Sequence, residues 1–131
     1  MRNESNYPGP GHTSNIRDLY GTGAMDVRQL ETALEVLGAL APGHMPVHHC
    51  QILLFIAAGG PAGITYADIE ARFCLSNAAA SRTVNTLSEG ARHRKSSLGL
   101  VEIFRDVEEG RRYRVRLTAK GAAIVRSLEA L

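Results

Sequence analysis

Two short runs near the C-terminal end of the chain alternate apolar residues with polar or basic ones, whereas the other apolar residues recur mostly at helical spacing. The runs span residues 100–104 and 113–117, and a charged segment with Gly110 at its turn separates them. A period of two is typical of a strand that is exposed on one side. The sequence therefore predicts a fold class that is mainly α with a small β-hairpin.

The first helix is predicted from Asp26 to near Pro42, because apolar residues recur there at spacings of three and four. Asp26 and Gln29 are spaced like an N-cap residue and its reciprocal partner. The apolar stripe is wider than one neighbouring helix covers, so we expect a symmetric homodimer. That stripe comprises Val27, Leu30, Leu34 and Leu37. Residues 1–24 are predicted to form a flexible polar arm ahead of one domain, 25–131.

The second helix, 48–58, is apolar on nearly every side and is predicted to be buried, with Pro46 in its first position. Cys50 and Cys74 each lie in an apolar stretch, so we expect free, buried thiols that do not act as redox sensors. Two thiols cannot complete a structural zinc site, and His48 and His49 point about 100° apart on a helix. No metal and no cofactor are therefore expected.

A helix-turn-helix is predicted next. Thr65 and Asp68 form a capping pair for a short helix over residues 66–72, and Ser76 is the candidate N-cap of a helix over residues 77–88. The apolar face of this second helix carries Ala80, Val84 and Leu87, and its opposite face carries Asn77, Ala78, Ser81, Arg82 and Asn85. A tight turn followed by small residues is typical of a helix-turn-helix, and a helical hairpin without a partner is the alternative.

Positive charge is concentrated in one segment. The whole chain carries a net charge of +2, but residues 91–117 carry +4. This concentration favours a polyanionic partner such as nucleic acid, with a solvated charged face as the alternative. Apolar runs are too short for a membrane helix and the N-terminal residues are polar, so a cytoplasmic protein without membrane contact is expected.

With a hairpin wing after the helix-turn-helix and Thr118 capping a closing helix, the sequence resembles the MarR-type (multiple antibiotic resistance regulator) winged helix-turn-helix family. Leu117-Thr-Ala-Lys-Gly121 is similar to the family's Leu-Thr-x-x-Gly junction between wing and closing helix. Glu109 and Arg111 lie where the family carries an Asp-x-Arg pair at the wing tip. The departures are a basic insertion, 90–97, and Ile103 at a position where the family often has Arg.

This order of elements and the resemblance predict a sequence-specific transcription regulator that binds double-stranded DNA, and more specifically a repressor. The second helix would enter the major groove with Asn77, Ala78, Ser81, Arg82 and Asn85. Arg111 and Arg112 of the wing would enter the minor groove, and the insertion would contact phosphates through Arg92, Arg94 and Lys95. A small-molecule effector is left open.

The sequence leaves two other classes of function open. A winged helix can also bind protein, for instance as an adaptor in a replication or packaging assembly, and its recognition face would then be apolar or acidic. An enzyme is the least favoured class, because no nucleophile with a nearby base stands out. Gly59-Gly-Pro-Ala-Gly63 also lacks the Lys and Ser/Thr of a phosphate-binding loop. The polar and basic face of the second helix favours DNA.

Overall fold

The computed structural model describes residues 25–88, 98–108, 110 and 112–131. These residues form five helices, three strands and a 3-10 turn at Gly60–Ala62. The helices are α1 (Val27–Gly38), α2 (Val47–Ala58), α3 (Tyr66–Phe73), α4 (Asn77–Leu87) and α5 (Ala119–Glu129). The strands are β1 (Ile64–Thr65), β2 (Val101–Arg105) and β3 (Tyr113–Leu117). The predicted arm, 1–24, and the insertion, 90–97, lie outside the described residues.

The chain divides at Leu34 into two units, and the N-terminal one is described only for residues 25–34. The predicted cap of α1 is present: the Asp26 N–H donates to Gln29 Oε1 over 2.8 Å, and the Gln29 N–H donates to Asp26 Oδ1 over 2.9 Å. Val27 is 82% exposed, and Leu30 and Leu34 are also exposed. Three of the four residues of the predicted apolar stripe therefore face solvent in this single chain.

In the C-terminal unit, from Glu35 onward, α1 ends at Gly38 rather than near Pro42. The Met45 N–H donates to the Gly38 carbonyl oxygen over 3.2 Å, so the chain reverses there. Leu37, the fourth stripe residue, is buried and belongs to the core. The other large buried apolar side chains of this unit are Met45, Ile52, Leu53, Ile56, Ile64, Ile69, Val84, Leu87, Leu100, Val101, Val115 and Leu128.

Helix α2 is buried on one side only, which corrects the expectation that it lies wholly in the core. Ile52, Leu53 and Ile56 are buried, but Val47 and Leu54 are exposed. A uniformly apolar helix gives no periodic signal, so its exposed side could not be identified from the sequence. Pro46 is the N-cap residue of α2 rather than its first helical residue.

The two cysteines differ in exposure. Cys50 is buried, and burial raises the pKa of its thiol. The prediction that Cys74 is buried is wrong: its side chain is exposed, because the residue ends α3 in the left-handed conformation (φ 54°) at the turn before α4. A residue at a helix C-cap belongs to the surface turn and not to the apolar face that precedes it.

The wing has a third strand. The sheet order is β1-β3-β2, and both pairings are antiparallel. Ile64 lies opposite Val115, which joins the start of the helix-turn-helix to the wing. The inward alternation predicted for the two wing strands holds for Val101 and Val115, whereas Ile103 and Tyr113 are exposed. Ile103 lies opposite the buried Val115 but on the edge strand β2, and Tyr113 lies at the open end of the hairpin, so the apolar side of the sheet is covered at its centre and not at these two positions.

The end of α4, the entry to the wing and the start of α5 meet around Gly99 and Leu100. The Leu100 N–H donates to the Leu87 carbonyl oxygen over 2.7 Å, and the Leu98 N–H donates to that of Thr86 over 3.1 Å. These hydrogen bonds join the residues that flank segment 89–97 on its two sides. No helix in the described part of the chain is long and apolar enough to cross a membrane.

Thr118 is the predicted cap of α5, and its hydroxyl makes two contacts. It accepts the Gly121 N–H over 3.1 Å and donates to the Gly99 carbonyl oxygen over 2.7 Å. The Thr118 N–H donates to the Leu100 carbonyl oxygen over 3.0 Å. The threonine of the Leu-Thr-x-x-Gly pattern therefore begins the closing helix and fastens it to the wing entry.

The cap of α3 leads to a prediction about acid stability. The Thr65 N–H donates to Asp68 Oδ2 over 2.9 Å, and the Asp68 N–H donates to Thr65 Oγ1 over 3.1 Å, as the spacing predicts. The hydrogen bond from the Thr65 N–H lowers the pKa of Asp68. A lowered pKa stabilises the fold above the unfolded value of 3.8, and this stabilisation is lost as the pH falls through the folded value.

We therefore expect Asp68→Ala to lower the free energy of unfolding by about 1 kcal/mol at pH 6, and by less as the pH falls below 4. Urea unfolding at pH 6, 5, 4 and 3 measures this difference. Thr65→Ser is the matched control, because serine keeps the hydroxyl acceptor of the same cap. A difference between Asp68→Ala and the wild type that stays constant over this pH range would contradict the assignment.

Candidate nucleic-acid interface

Helix α4 presents a polar face to solvent. The Ser76 hydroxyl begins the helix by accepting the Ala79 N–H over 3.1 Å. The buried side comprises Ala80, Thr83, Val84 and Leu87. The five residues predicted to read DNA lie opposite: Asn77, Ala78 and Arg82 are exposed, and Ser81 and Asn85 are half-buried. The structure thus brings these five residues together on one helix face.

A hydrogen bond that the sequence did not indicate joins the two helices of the motif. Asn77 Nδ2 donates to Glu70 Oε2 over 2.9 Å, and the Leu75 N–H donates to the Glu70 carbonyl oxygen over 3.1 Å. Glu70 therefore holds the first turn of α4 against α3 at the point where Cys74 reverses the chain. The only signal in the sequence was an acidic residue one turn from the end of α3, which is too common a feature to single out.

At the open end of the wing, a basic and an aromatic residue pair across the strands. Arg105 Nη2 donates to the Tyr113 hydroxyl over 2.9 Å, and the guanidinium carbon lies 5.3 Å from the centre of the Tyr113 ring. Arg112 is exposed beside this pair. The predicted DNA contact Arg112 therefore lies next to an ordered cation–π pair on the wing.

A groove of about 580 Å³ separates the start of α3 from the wing. Its lining residues are Thr65, Tyr66, Ala67, Asp68, Ile103, Arg112 and Tyr113. Burial raises the pKa of the Tyr66 phenol. The charges of Arg112 and Arg114 contribute to the low pKa of Asp68, after its hydrogen bonds with Thr65.

Two wing arginines form ion pairs on the other face of the sheet. Arg116 Nε lies 2.6 Å from Glu102 Oε2, opposite it in the strand register, and its guanidinium carbon lies 4.0 Å from the centre of the Phe104 ring. Arg114 Nε lies 2.8 Å from Asp106 Oδ2. Arg116 therefore has a partner on the neighbouring strand, and Arg114 has a partner in the turn that follows β2.

The remaining predicted contacts, Arg92, Arg94, Lys95 and Arg111, lie outside the described residues. Among the residues that the structure does describe, no group of three His, Cys, Asp or Glu side chains could hold a metal ion. The candidate interface is thus the exposed face of α4 together with Arg112 and the Arg105–Tyr113 pair of the wing.

No protein-family model and no curated protein matches the sequence. Among solved structures, the chain is similar to a variant of MepR from S. aureus bound to an oligodeoxyribonucleotide. The two share 17% identity over 91% of this chain and 74% of that chain, with a TM-score of 0.59. The chain is also similar to a MarR variant from E. coli in complex with operator DNA. The two share 20% identity over 93% of this chain and 74% of that chain, with a TM-score of 0.53.

A third similar structure is the transcriptional regulator PcaV from Streptomyces coelicolor, in complex with its natural ligand. It shares 21% identity over 99% of this chain and 77% of that chain, with a TM-score of 0.51. At identities this low, the similarity shows a common fold.

Proposed function

The chain has the winged helix-turn-helix fold of MarR-type regulators, and from this premise we propose that it binds double-stranded DNA sequence-specifically and represses transcription. The observation that carries the proposal is the polar face of α4, where Asn77 and Arg82 are exposed and Ser81 and Asn85 are half-buried. We propose a cytoplasmic location for the chain.

The chemistry of this face suits the edges of base pairs. Arg82 can donate two hydrogen bonds to guanine, Asn85 can pair with adenine, and Ala78 can contact a thymine methyl group. Asn77 is also the residue that holds α4 against α3, so we assign its amide a bracing role in addition to a base contact. Arg112, with Arg111, would enter the minor groove from the wing.

A winged helix that binds protein is the second candidate function. Its recognition face would carry apolar or acidic residues, whereas the exposed residues of α4 are Asn77, Ala78 and Arg82. Glu70 is acidic, but its carboxylate accepts the Asn77 amide. The composition of the face therefore favours DNA. The similar structures are transcription regulators, and we propose no enzymatic activity for this chain.

The exposed apolar residues of α1 lead to a prediction about oligomeric state. Val27, Leu30 and Leu34 are spaced to share one side of α1, and covering them in a symmetric contact would remove apolar surface from water. We expect a dimer in sedimentation velocity at tens of micromolar protein, and Leu30→Glu with Leu34→Glu should shift it to a monomer. A wild-type monomer at this concentration would contradict the dimer, and with it the expectation of a palindromic site.

The proposed function is tested by selecting binding sites from a random duplex library with the purified full chain. We expect enrichment of one motif, with half-sites about one helical turn apart if the protein is dimeric. Affinity for the selected duplex should exceed affinity for a random duplex by a factor on the order of 10³ or more. Equal affinity for both duplexes would contradict sequence-specific binding, and capture of a protein partner without DNA binding would favour the second candidate.

A further inference from the structure

The wing turn between β2 and β3 is organised around one carboxylate. Asp106 Oδ2 accepts from Arg114 Nε over 2.8 Å, and Asp106 Oδ1 accepts the Glu108 N–H over 2.9 Å. The Asp106 N–H donates to the Arg112 carbonyl oxygen over 2.8 Å. Asp106 therefore ties together both strands and the turn, and one of its partners is the backbone of Arg112.

The same network continues to the segment that leads into the helix-turn-helix. Arg114 Nη1 donates to the Gly63 carbonyl oxygen over 3.2 Å, and Gly63 directly precedes β1. A Cβ atom at Gly63 would lie 2.9 Å from two carbons of the Phe104 ring, so the ring packs directly on this glycine. Gly63 has φ +78°, a conformation that favours glycine. The wing is thus fastened to the residue just ahead of β1 and α3.

The Arg114–Asp106 ion pair is more buried than the Arg116–Glu102 ion pair on the same face of the sheet. The side chains of Arg114 and Asp106 are 29% and 11% exposed, whereas those of Arg116 and Glu102 are 38% and 41% exposed. Exposed pairs contribute little, because water and salt screen them. The Asp106 pair is more sheltered, and its carboxylate also accepts a backbone N–H, so we expect it to contribute more to the order of the turn than an exposed ion pair does.

We propose that Asp106 is a positioning residue for DNA binding. Together with Arg114 it fixes the wing turn and fastens it to Gly63, so that Arg112 is held at a set distance from the recognition face of α4. This inference rests on the proposed function, because it assigns the wing a place on DNA. It adds that the position of the wing is set by an acidic residue that does not itself contact DNA.

The inference is tested with Asp106→Ala, measured on the selected duplex and on duplexes whose flanking A·T pairs are replaced by G·C. We expect Asp106→Ala to bind the selected duplex about tenfold more weakly and to lose the preference for A·T flanks, because a wing without a fixed position no longer reads minor-groove width. The base preferences at positions contacted by α4 should be unchanged. Asp106→Asn, which keeps an acceptor oxygen, should recover part of the affinity.

Glu102→Ala is the matched control, because it removes an ion pair on the same face that is more exposed and does not reach Gly63. We expect it to change DNA affinity less than twofold. A second measurement is independent of DNA: in Asp106→Ala the Glu108 amide should exchange with solvent at least tenfold faster, and in Glu102→Ala it should not. The inference is overturned if Asp106→Ala keeps the wild-type affinity for the selected duplex, the wild-type preference for A·T flanks, or the wild-type exchange rate of the Glu108 amide.

Two further outcomes separate this inference from the proposed function. If the wild type shows no specific DNA binding, the proposed function fails. The positioning role then fails with it, even if the Glu108 amide exchanges faster in Asp106→Ala as expected. If the wild type binds specifically but Asp106→Ala loses affinity together with the base preferences of α4, the residue supports the whole domain, and the positioning role is overturned while the proposed function stands.

Discussion

Replacing Gly121 with alanine is expected to lower the free energy of unfolding by about 3 kcal/mol, the upper end of what overpacking of a tight contact costs. A Cβ atom at this position would collide with the Leu100 carbonyl oxygen, and it would lie 3.0 Å from the carbonyl carbon of the same residue. Backbone atoms cannot rotate away as a flexible side chain can. The Leu100 carbonyl also accepts the Thr118 N–H, so moving it would weaken the start of α5.

The control for this substitution is Gly110→Ala. Nothing lies within 4 Å of a Cβ atom at Gly110, so its free energy of unfolding should stay within about 0.5 kcal/mol of the wild type. Urea unfolding followed by far-UV circular dichroism measures both variants. If Gly121→Ala unfolds within 1 kcal/mol of the wild type, the close packing of α5 on the wing entry does not explain the glycine of the Leu-Thr-x-x-Gly pattern.

Arg82→Ala is expected to separate the reading of sequence from general attraction to DNA. If Arg82 reads a base edge, the substitution should weaken binding to the selected duplex by about 1 to 3 kcal/mol, which is roughly 5- to 150-fold. Its effect on a random duplex should be much smaller, because Arg82 would meet no fixed partner there. Binding isotherms on both duplexes measure the ratio of affinities.

Substitutions in the basic insertion, 90–97, provide the comparison for Arg82→Ala. Arg94→Ala and Lys95→Ala should weaken binding to both duplexes about equally, and each should lower the slope of log affinity against log salt by roughly one unit. Arg111→Ala should lie between these cases, with its greatest effect where the flanking sequence narrows the minor groove. If the ratio of affinities for the selected and the random duplex is unchanged in Arg82→Ala, Arg82 does not read a base edge.

Features set by neighbours a few residues apart could be predicted from the sequence. The caps at Asp26, Thr65, Ser76 and Thr118 all join residues three positions apart, and all four are present. The face of α4 followed from helical spacing for the same reason. The boundaries were less accurate: α1 ends at Gly38 because Met45 returns to its last turn, a contact that no local pattern reveals.

Contacts between distant parts of the chain could not be predicted. The pairing of β1 with β3 joins Ile64 to Val115, and a strand of two residues is too short to give an alternation of its own. The bond between Arg114 and Gly63 likewise spans 51 positions. In the candidate site, the bracing of Asn77 by Glu70 was missed because it crosses the turn between two helices, where the spacing rules of a single helix no longer apply.

The joint between the end of α4 and the wing entry makes segment 89–97 a natural place for insertions and deletions. The residues on its two sides are already joined, because the Leu98 and Leu100 N–H groups donate to the carbonyl oxygens of Thr86 and Leu87. When the ends of a connecting segment are fixed, doubling its length adds only about 0.6 kcal/mol of closure entropy. Residues can therefore be gained, lost or exchanged there over evolution without moving α4 relative to the wing. If the chain binds DNA as proposed, its non-specific affinity can change in this way while its sequence preference is inherited intact.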